Sequence, residues 1–130
     1  MKAVFDTNLL IDFLNGVEKA RTVLLEYEEP AISRVTWMEV MAGAVKTPRE
    51  PAIRAFLAGF QLLEIEGPVA EEAIRLRAQR RLRLPDAIIL ATARVHGCLL
   101  LTRNTKDFDP AWPEIREPYR LPDNKQKPKA

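Results

Sequence analysis

Cysteine and histidine are nearly absent from this sequence: Cys98 and His96 are the only examples of each. One cysteine excludes an intrachain disulfide framework and a cysteine-based zinc site, and the reducing cytoplasm is the expected setting. His96, near the end of an apolar stretch, is read as structural. Charge of one sign is also lacking, since 20 lysines and arginines face 18 acids. Any basic footprint for a nucleic acid must therefore be local. No apolar run approaches the ~20 residues of a membrane span, and the first residues lack the basic start and apolar stretch of a secretory signal. A soluble protein, without a membrane partner, is expected.

What is present suffices for one core. With 130 residues, 47% of them hydrophobic and 29% charged, the chain fits a single globular domain. That domain is expected over residues 1–122. Residues 123–130 carry Lys125, Lys127 and Lys129 with Pro128 and no large apolar side chain. Such a basic tail cannot bury surface to offset its ordering entropy, so disorder is expected there.

The chain is organised around Ala3-Val4-Phe5-Asp6-Thr7-Asn8, an apolar run that stops on a carboxylate. It reads as a buried parallel strand emerging into a turn, and ligands of open α/β sheets bind beyond such strand ends. Taken alone, Asp6 or Thr7 is an ordinary helix cap. A short helix then runs to Asn15-Gly16, and Ala20, Val23, Leu24 and Tyr27 mark a second from Glu18 to Glu28. Pro30 to Ser33 is a brief strand, and Ser33 or Thr36 caps a helix from Val35 to Val45. Val35, Met38, Ala42 and Val45 are expected to form its apolar stripe, with Glu39 on the edge of the stripe and facing inward.

After breaks at Thr47-Pro48 and Glu50-Pro51, Ile53, Phe56, Leu57 and Phe60 predict another helix, and Leu62 to Ile65 a strand. Pro68 opens an amphipathic helix through Val69, Ala73, Leu76, Ala78 and Leu82. Arginines 75, 77, 80, 81 and 83 gather at its end, as a solvated face or as a phosphate-tracking surface. Leu84-Pro85-Asp86 begins a helix to His96 that is apolar almost all round. Cys98 to Thr102 is a strand covered on both faces, followed by Arg103-Asn104-Thr105-Lys106-Asp107-Phe108. A short edge strand is expected around Pro118-Tyr119.

Strands alternating with helices predict a parallel sheet between helical layers, with right-handed crossovers. Asp6, Asn104 and Asp107 then share one sheet edge, and Glu39 and Asp86 join them from helices. Two carboxylates at ~4 Å and an effective dielectric of ~20 repel by roughly 4 kcal/mol, which a divalent cation relieves. Carboxylate and amide oxygens suit hard cations, Mg²⁺ or Mn²⁺ rather than zinc. Such a site activates water and orients a phosphodiester.

At this point the residues resemble a family, the PIN-domain nucleases, and within it the VapC-like toxins of prokaryotic toxin-antitoxin pairs. Val4 to Asp12 is similar to the family's opening motif, and Ser33 to Val40 with Ala42-Gly43 to its second. Leu84-Pro85-Asp86-Ala87 with the helix after it resembles the third, and Leu101 to Phe108 the fourth. The resemblance implies a three-layer α/β/α sandwich with a central parallel sheet of four to five strands. It implies an acidic quartet of Asp6, Glu39, Asp86 and Asp107 around Mg²⁺, supported by Thr7, Thr102 and Asn104. Asp6 and Asp86 would be direct metal ligands, and Glu39 and Asp107 ligands through water. Apart from the resemblance, Arg80, Arg81 and Arg83 lie just before Asp86 in sequence and are read as RNA contacts lining the approach to the acidic crevice. Many relatives carry an acid at the position of Asn104, where this chain defers the acid to Asp107. The resemblance further implies RNA cleavage, a homodimer, and inhibition by an antitoxin, with DNA engaged only through that antitoxin.

Three other readings compete. A haloacid-dehalogenase-like phosphatase needs a second Asp two residues after the first, where this chain has Asn8. A receiver domain of a signalling pathway needs an Asp after the middle strand, where Glu66-Gly67 stands, and a lysine after the last. The third is a PIN fold without catalysis that only binds RNA or protein, against which the retained acids argue.

Overall fold

The computed structural model describes residues 2–122, so the expectation for the basic tail lies outside the described residues. Ala3, Val4 and Phe5 form strand β1 (Ala3–Phe5), and all three are buried, as an apolar run inside a two-sided sheet must be. The chain continues through α1 (Thr7–Leu14), α2 (Glu18–Leu25), β2 (Pro30–Ser33), α3 (Arg34–Ala44), α4 (Glu50–Leu57) and β3 (Gln61–Leu63). It then forms α5 (Gly67–Arg80), α6 (Leu84–Val95), β4 (Leu99–Leu101) and β5 (Ile115–Arg116).

The strands make one sheet in the order β3-β2-β1-β4-β5, with every pairing parallel. Strand alternation divides the core. Val4, Ala31, Leu63, Leu100 and Ile115 face α5 and α6. Ala3, Phe5, Ile32 and Leu101 face the layer that includes α1, α3 and α4. This is the expected three-layer α/β/α sandwich. The first strand is central: the chain builds outward from it to β2 and β3, then crosses back to β4 on its other side. The strand order therefore reverses between β1 and β4.

Two local expectations are corrected. The edge strand is Ile115–Arg116, not Pro118-Tyr119. The Leu100 and Thr102 amides donate to the Glu114 and Arg116 carbonyls at 2.8 and 3.0 Å, whereas Pro118 has no N–H to offer a ladder. In α3, capped by the Ser33 hydroxyl on the Val35 amide, the buried face is Val35, Thr36, Val40, Met41 and Ala44. Met38 and Val45 are 54% and 49% exposed, and Ala42 is exposed as well. Counting apolar residues misplaced the stripe because Thr36, fully buried, occupies the inner face through a hydroxyl partner on α1. Smaller shifts concern Phe60, which lies past the end of α4, and Ala78, which is exposed on α5.

Candidate active site

Asp6 leaves β1 at the point where the strand order reverses, and its amide donates to the Leu101 carbonyl at 2.9 Å. Its extended backbone makes it the N-cap of α1, with Oδ1 accepting from the Thr7 amide at 2.7 Å. The cap and site readings are thus compatible, because the second oxygen has other partners. Asp6 Oδ2 accepts from the Thr102 hydroxyl at 2.7 Å and from Asn8 Nδ2 at 3.3 Å. Phe5 pairs with Leu101, so the residues that follow the two strands, Asp6 and Thr102, meet in register.

The remaining acids come from three other segments. Thr7 Oγ1 lies 2.5 Å from Glu39 Oε1 and 3.0 Å from Thr36 Oγ1. A hydroxyl has one proton, so Thr7 donates to the carboxylate and accepts from Thr36. Glu39 does not face the core as expected; it stands on the exposed rim, tethered by Thr7. Asp86, in the first turn of α6, is buried and paired with Arg83 at 3.3 Å. Asp107 accepts from Asn104 Nδ2 at 3.0 Å and lies 3.9 Å from the Arg83 guanidinium.

Electrostatics place these groups in one crevice. Burial pushes the Asp6 carboxyl up to about 6; the Thr102 hydroxyl and Thr7 amide oppose that rise, and the Asp86 and Glu39 charges add to it. Burial also raises Asp86, with Arg83 lowering it and Asp107 and Glu39 raising it. Asp6 and Asp86 therefore each feel other acids of the quartet.

The rise at Asp6 has a measurable consequence for the metal-free protein. A folded carboxyl titrating near 6 rather than at the ordinary 3.8 contributes stability that is fully present below about pH 3.8 and lost as pH rises through about 6. Asn at this position keeps the cap and removes the charge. Asp6→Asn is expected to match or exceed the wild type in thermal stability at pH 7, by up to a few kcal/mol in order of magnitude, with the advantage vanishing toward pH 4. Metal-free melting curves from pH 4 to 8 check this; a lower melting temperature for Asp6→Asn at pH 7 would show that the carboxylate acts mainly as a cap.

The oxygen-only donor set and the mutual repulsion of its acids fit a hard divalent cation. Among the described residues, however, no group of three or more Asp, Glu, His or Cys side chains is set to hold a metal ion. Asp107 is turned to Asn104 and Arg83, and Glu39 to Thr7. Asp6 and Asp86 are engaged as well, Asp6 by Thr7, Thr102 and Asn8 and Asp86 by Arg83.

The basic residues divide. Arg83 is 78% exposed along its side chain and lies at the crevice, and Arg81 is exposed in a left-handed conformation at the end of α5. Arg80 is built into the packing: it pairs with Glu114 at 3.3 Å and lies 4.2 Å over the Trp112 ring. Read from sequence, Asn8 has no role in the site and Thr36 is only a candidate helix cap, a place that Ser33 takes. Asn8 also accepts from the Arg103 amide at 3.3 Å. The signal for it was adjacency to Asp6; for Thr36 it was a polar residue at helical spacing among apolar ones. A groove of about 480 Å³ between α2 and residues 116–119 contains none of the quartet. Chemistry rather than volume marks the site.

A parallel sheet whose order reverses beside a buried aspartate, with acids converging from two helices and a later loop, defines an α/β protein with an acidic crevice at its switch point. The PIN domain profile matches residues 3–111, and the chain belongs to the PIN domain family. It is similar to a chain of a toxin-antitoxin complex from Klebsiella pneumoniae, 46% identical, covering 92% of this chain and 99% of that one with a TM-score of 0.87. FitAcB from Neisseria gonorrhoeae is 23% identical over 92% of this chain and 99% of its own, with a TM-score of 0.76. DNA-bound VapBC from Salmonella typhimurium is 24% identical over 89% and 96%, with a TM-score of 0.74. The last two likenesses show the fold. No curated protein matches the chain.

Proposed function

We propose that this protein is a metal-dependent endoribonuclease and the toxin of a toxin-antitoxin pair, acting in the cytoplasm. The observation that carries this reading is the buried, repelled carboxylate of Asp6 at the sheet's switch point, with Asp86 and Glu39 in electrostatic reach. The 46% identity to a chain of a toxin-antitoxin complex supports the toxin assignment. The same likeness supports an antitoxin partner; the reading also includes a homodimer, with DNA reached only through the antitoxin. No helix among the described residues is long and apolar enough to cross a membrane.

Asp6 and Asp86 would hold Mg²⁺ or Mn²⁺, with Glu39 and Asp107 contacting it through water. The ion, when bound, would supply an activated water and charge neutralisation at a phosphodiester. The chain's own residues do the positioning. Thr102 and Asn8 fix Asp6 Oδ2, and the Thr36-Thr7 relay holds Glu39 at the rim. Asn104 aims Asp107, and Arg83 offers a guanidinium beside the acids that can meet a phosphate. The deciding experiment incubates purified protein with assorted RNAs, with and without Mg²⁺, and maps the ends. Metal-stimulated internal cleavage is expected. Absence of cleavage together with absence of metal binding by calorimetry would favour a PIN fold that only binds.

The arginines admit a separate test. Arg81→Glu with Arg83→Glu is expected to weaken RNA binding and to flatten its salt dependence by roughly 0.7 for each phosphate no longer neutralised. Arg80→Glu would instead set two acids together at Glu114 and cost stability. Filter binding across a salt series and melting curves separate these outcomes; an unchanged salt slope in the Arg81/Arg83 variant removes both residues from the RNA path.

A further inference from the structure

We propose that Asp12, Arg103 and Tyr119 form a positioning clamp for the acidic crevice, through which the segment after β5 sets the placement of Thr102 and Asn104. Arg103 sits between those two residues. Its side chain engages Asp12 as a fork, Nε at 2.6 Å from Oδ2 and Nη2 at 3.0 Å from Oδ1. The Tyr119 hydroxyl donates to the same Oδ2 at 2.7 Å. Asp12, on α1, is 7% exposed, so its charge is met by these donors rather than by water. Burial pushes the Tyr119 hydroxyl well above its ordinary range, with the Asp12 hydrogen bond and charge adding to the rise, so it stays a donor.

The backbone around Arg103 is woven into the site. The Arg103 amide donates to Asn8 Oδ1 at 3.3 Å, and the Asn104 amide donates to Thr102 Oγ1 at 2.9 Å. Thr102 passes its own proton toward Asp6, and Asn104 binds Asp107. A shift of Arg103 therefore moves the supports of two acids at once. Stability alone is a weak reason for such a group, because a buried ion pair is often matched by apolar residues of similar volume. Its distinctive property is direction: a planar fork on a carboxylate fixes orientation, which an ammonium cannot do. The clamp joins α1, the loop after β4 and the segment after β5, and none of its three members belongs to the quartet.

The kinetic part of the test rests on the nuclease reading; the exchange part does not. Tyr119→Phe removes one hydroxyl and keeps the ring, and Arg103→Lys keeps the charge and loses the fork. In metal-free protein, amide hydrogen exchange at Arg103 and Asn104 is expected to quicken about tenfold in both variants, with Val4 and Leu90 unchanged. With RNA and Mg²⁺, kcat is expected to fall about tenfold with KM nearly constant, the pattern of displaced chemistry rather than weakened binding. Unchanged exchange at Arg103 and Asn104 in both variants overturns the clamp whatever the kinetics. Quickened exchange with a wild-type kcat also overturns it, by reducing the network to local rigidity. If the wild type cuts no RNA, the nuclease reading fails instead, and Mn²⁺ affinity by calorimetry decides. About tenfold weaker binding in Tyr119→Phe then supports the clamp and equal affinity refutes it.

Discussion

Asp6→Asn and Asp86→Asn are each expected to abolish metal-dependent RNA cleavage while leaving the fold intact. Both substitutions remove a charge with little change of size, and Asn retains the cap that Asp6 gives the Thr7 amide. The loss should reach at least the 10²–10³-fold that follows removal of one preorganised electrostatic group, and more if the ion leaves altogether. Circular dichroism and metal-free melting show whether the fold survives, and end-mapping of the cleaved RNA reads the loss. Substantial cleavage by both variants would remove the quartet from the chemistry.

The largest stability effect is expected from Phe108→Ala. Phe108 is fully buried in the core on the α5 and α6 side, directly after Asp107, and its amide donates to the Asn104 carbonyl at 3.0 Å. Truncating a buried Phe costs about 3–5 kcal/mol through reduced burial and the cavity left behind. That is a large part of the roughly 5–15 kcal/mol that holds a domain of this kind together. Urea unfolding should show the loss, and Phe108→Leu should restore most of it. A cost below about 1 kcal/mol would mean that the loop repacks without Phe108 and that Asp107 is anchored by Asn104 alone.

What the sequence showed and what it hid differ in range. β1 ending on Asp6, β2 from Pro30 to Ser33, and the apolar helix opened by Pro85-Asp86 are local patterns, and local patterns survive in the structure. The convergence of acids followed from topology, since a parallel sheet with right-handed crossovers brings strand ends to one edge. The hidden features each depend on a partner far along the chain. Thr36 is buried because Thr7 meets it, Arg80 is withdrawn because Glu114 and Trp112 hold it, and Asp12 matters because Arg103 and Tyr119 reach it. Two-residue β5 carries too little periodicity to be placed without its ladder to β4.

The position of β1 between β2 and β4 also has a consequence in time. Residues 3–5 are synthesised well before residues 99–101, yet one of the two edges of β1 waits for that later strand. Until β4 exists, Asp6 has neither the Thr102 hydroxyl nor the Leu101 carbonyl that fix it. Contacts so distant in sequence form late, after the entropy of closing a long loop has been met. The crevice therefore cannot assemble before β4 has been made, and a chain synthesised only as far as α6 carries the first acid of the site without the site itself.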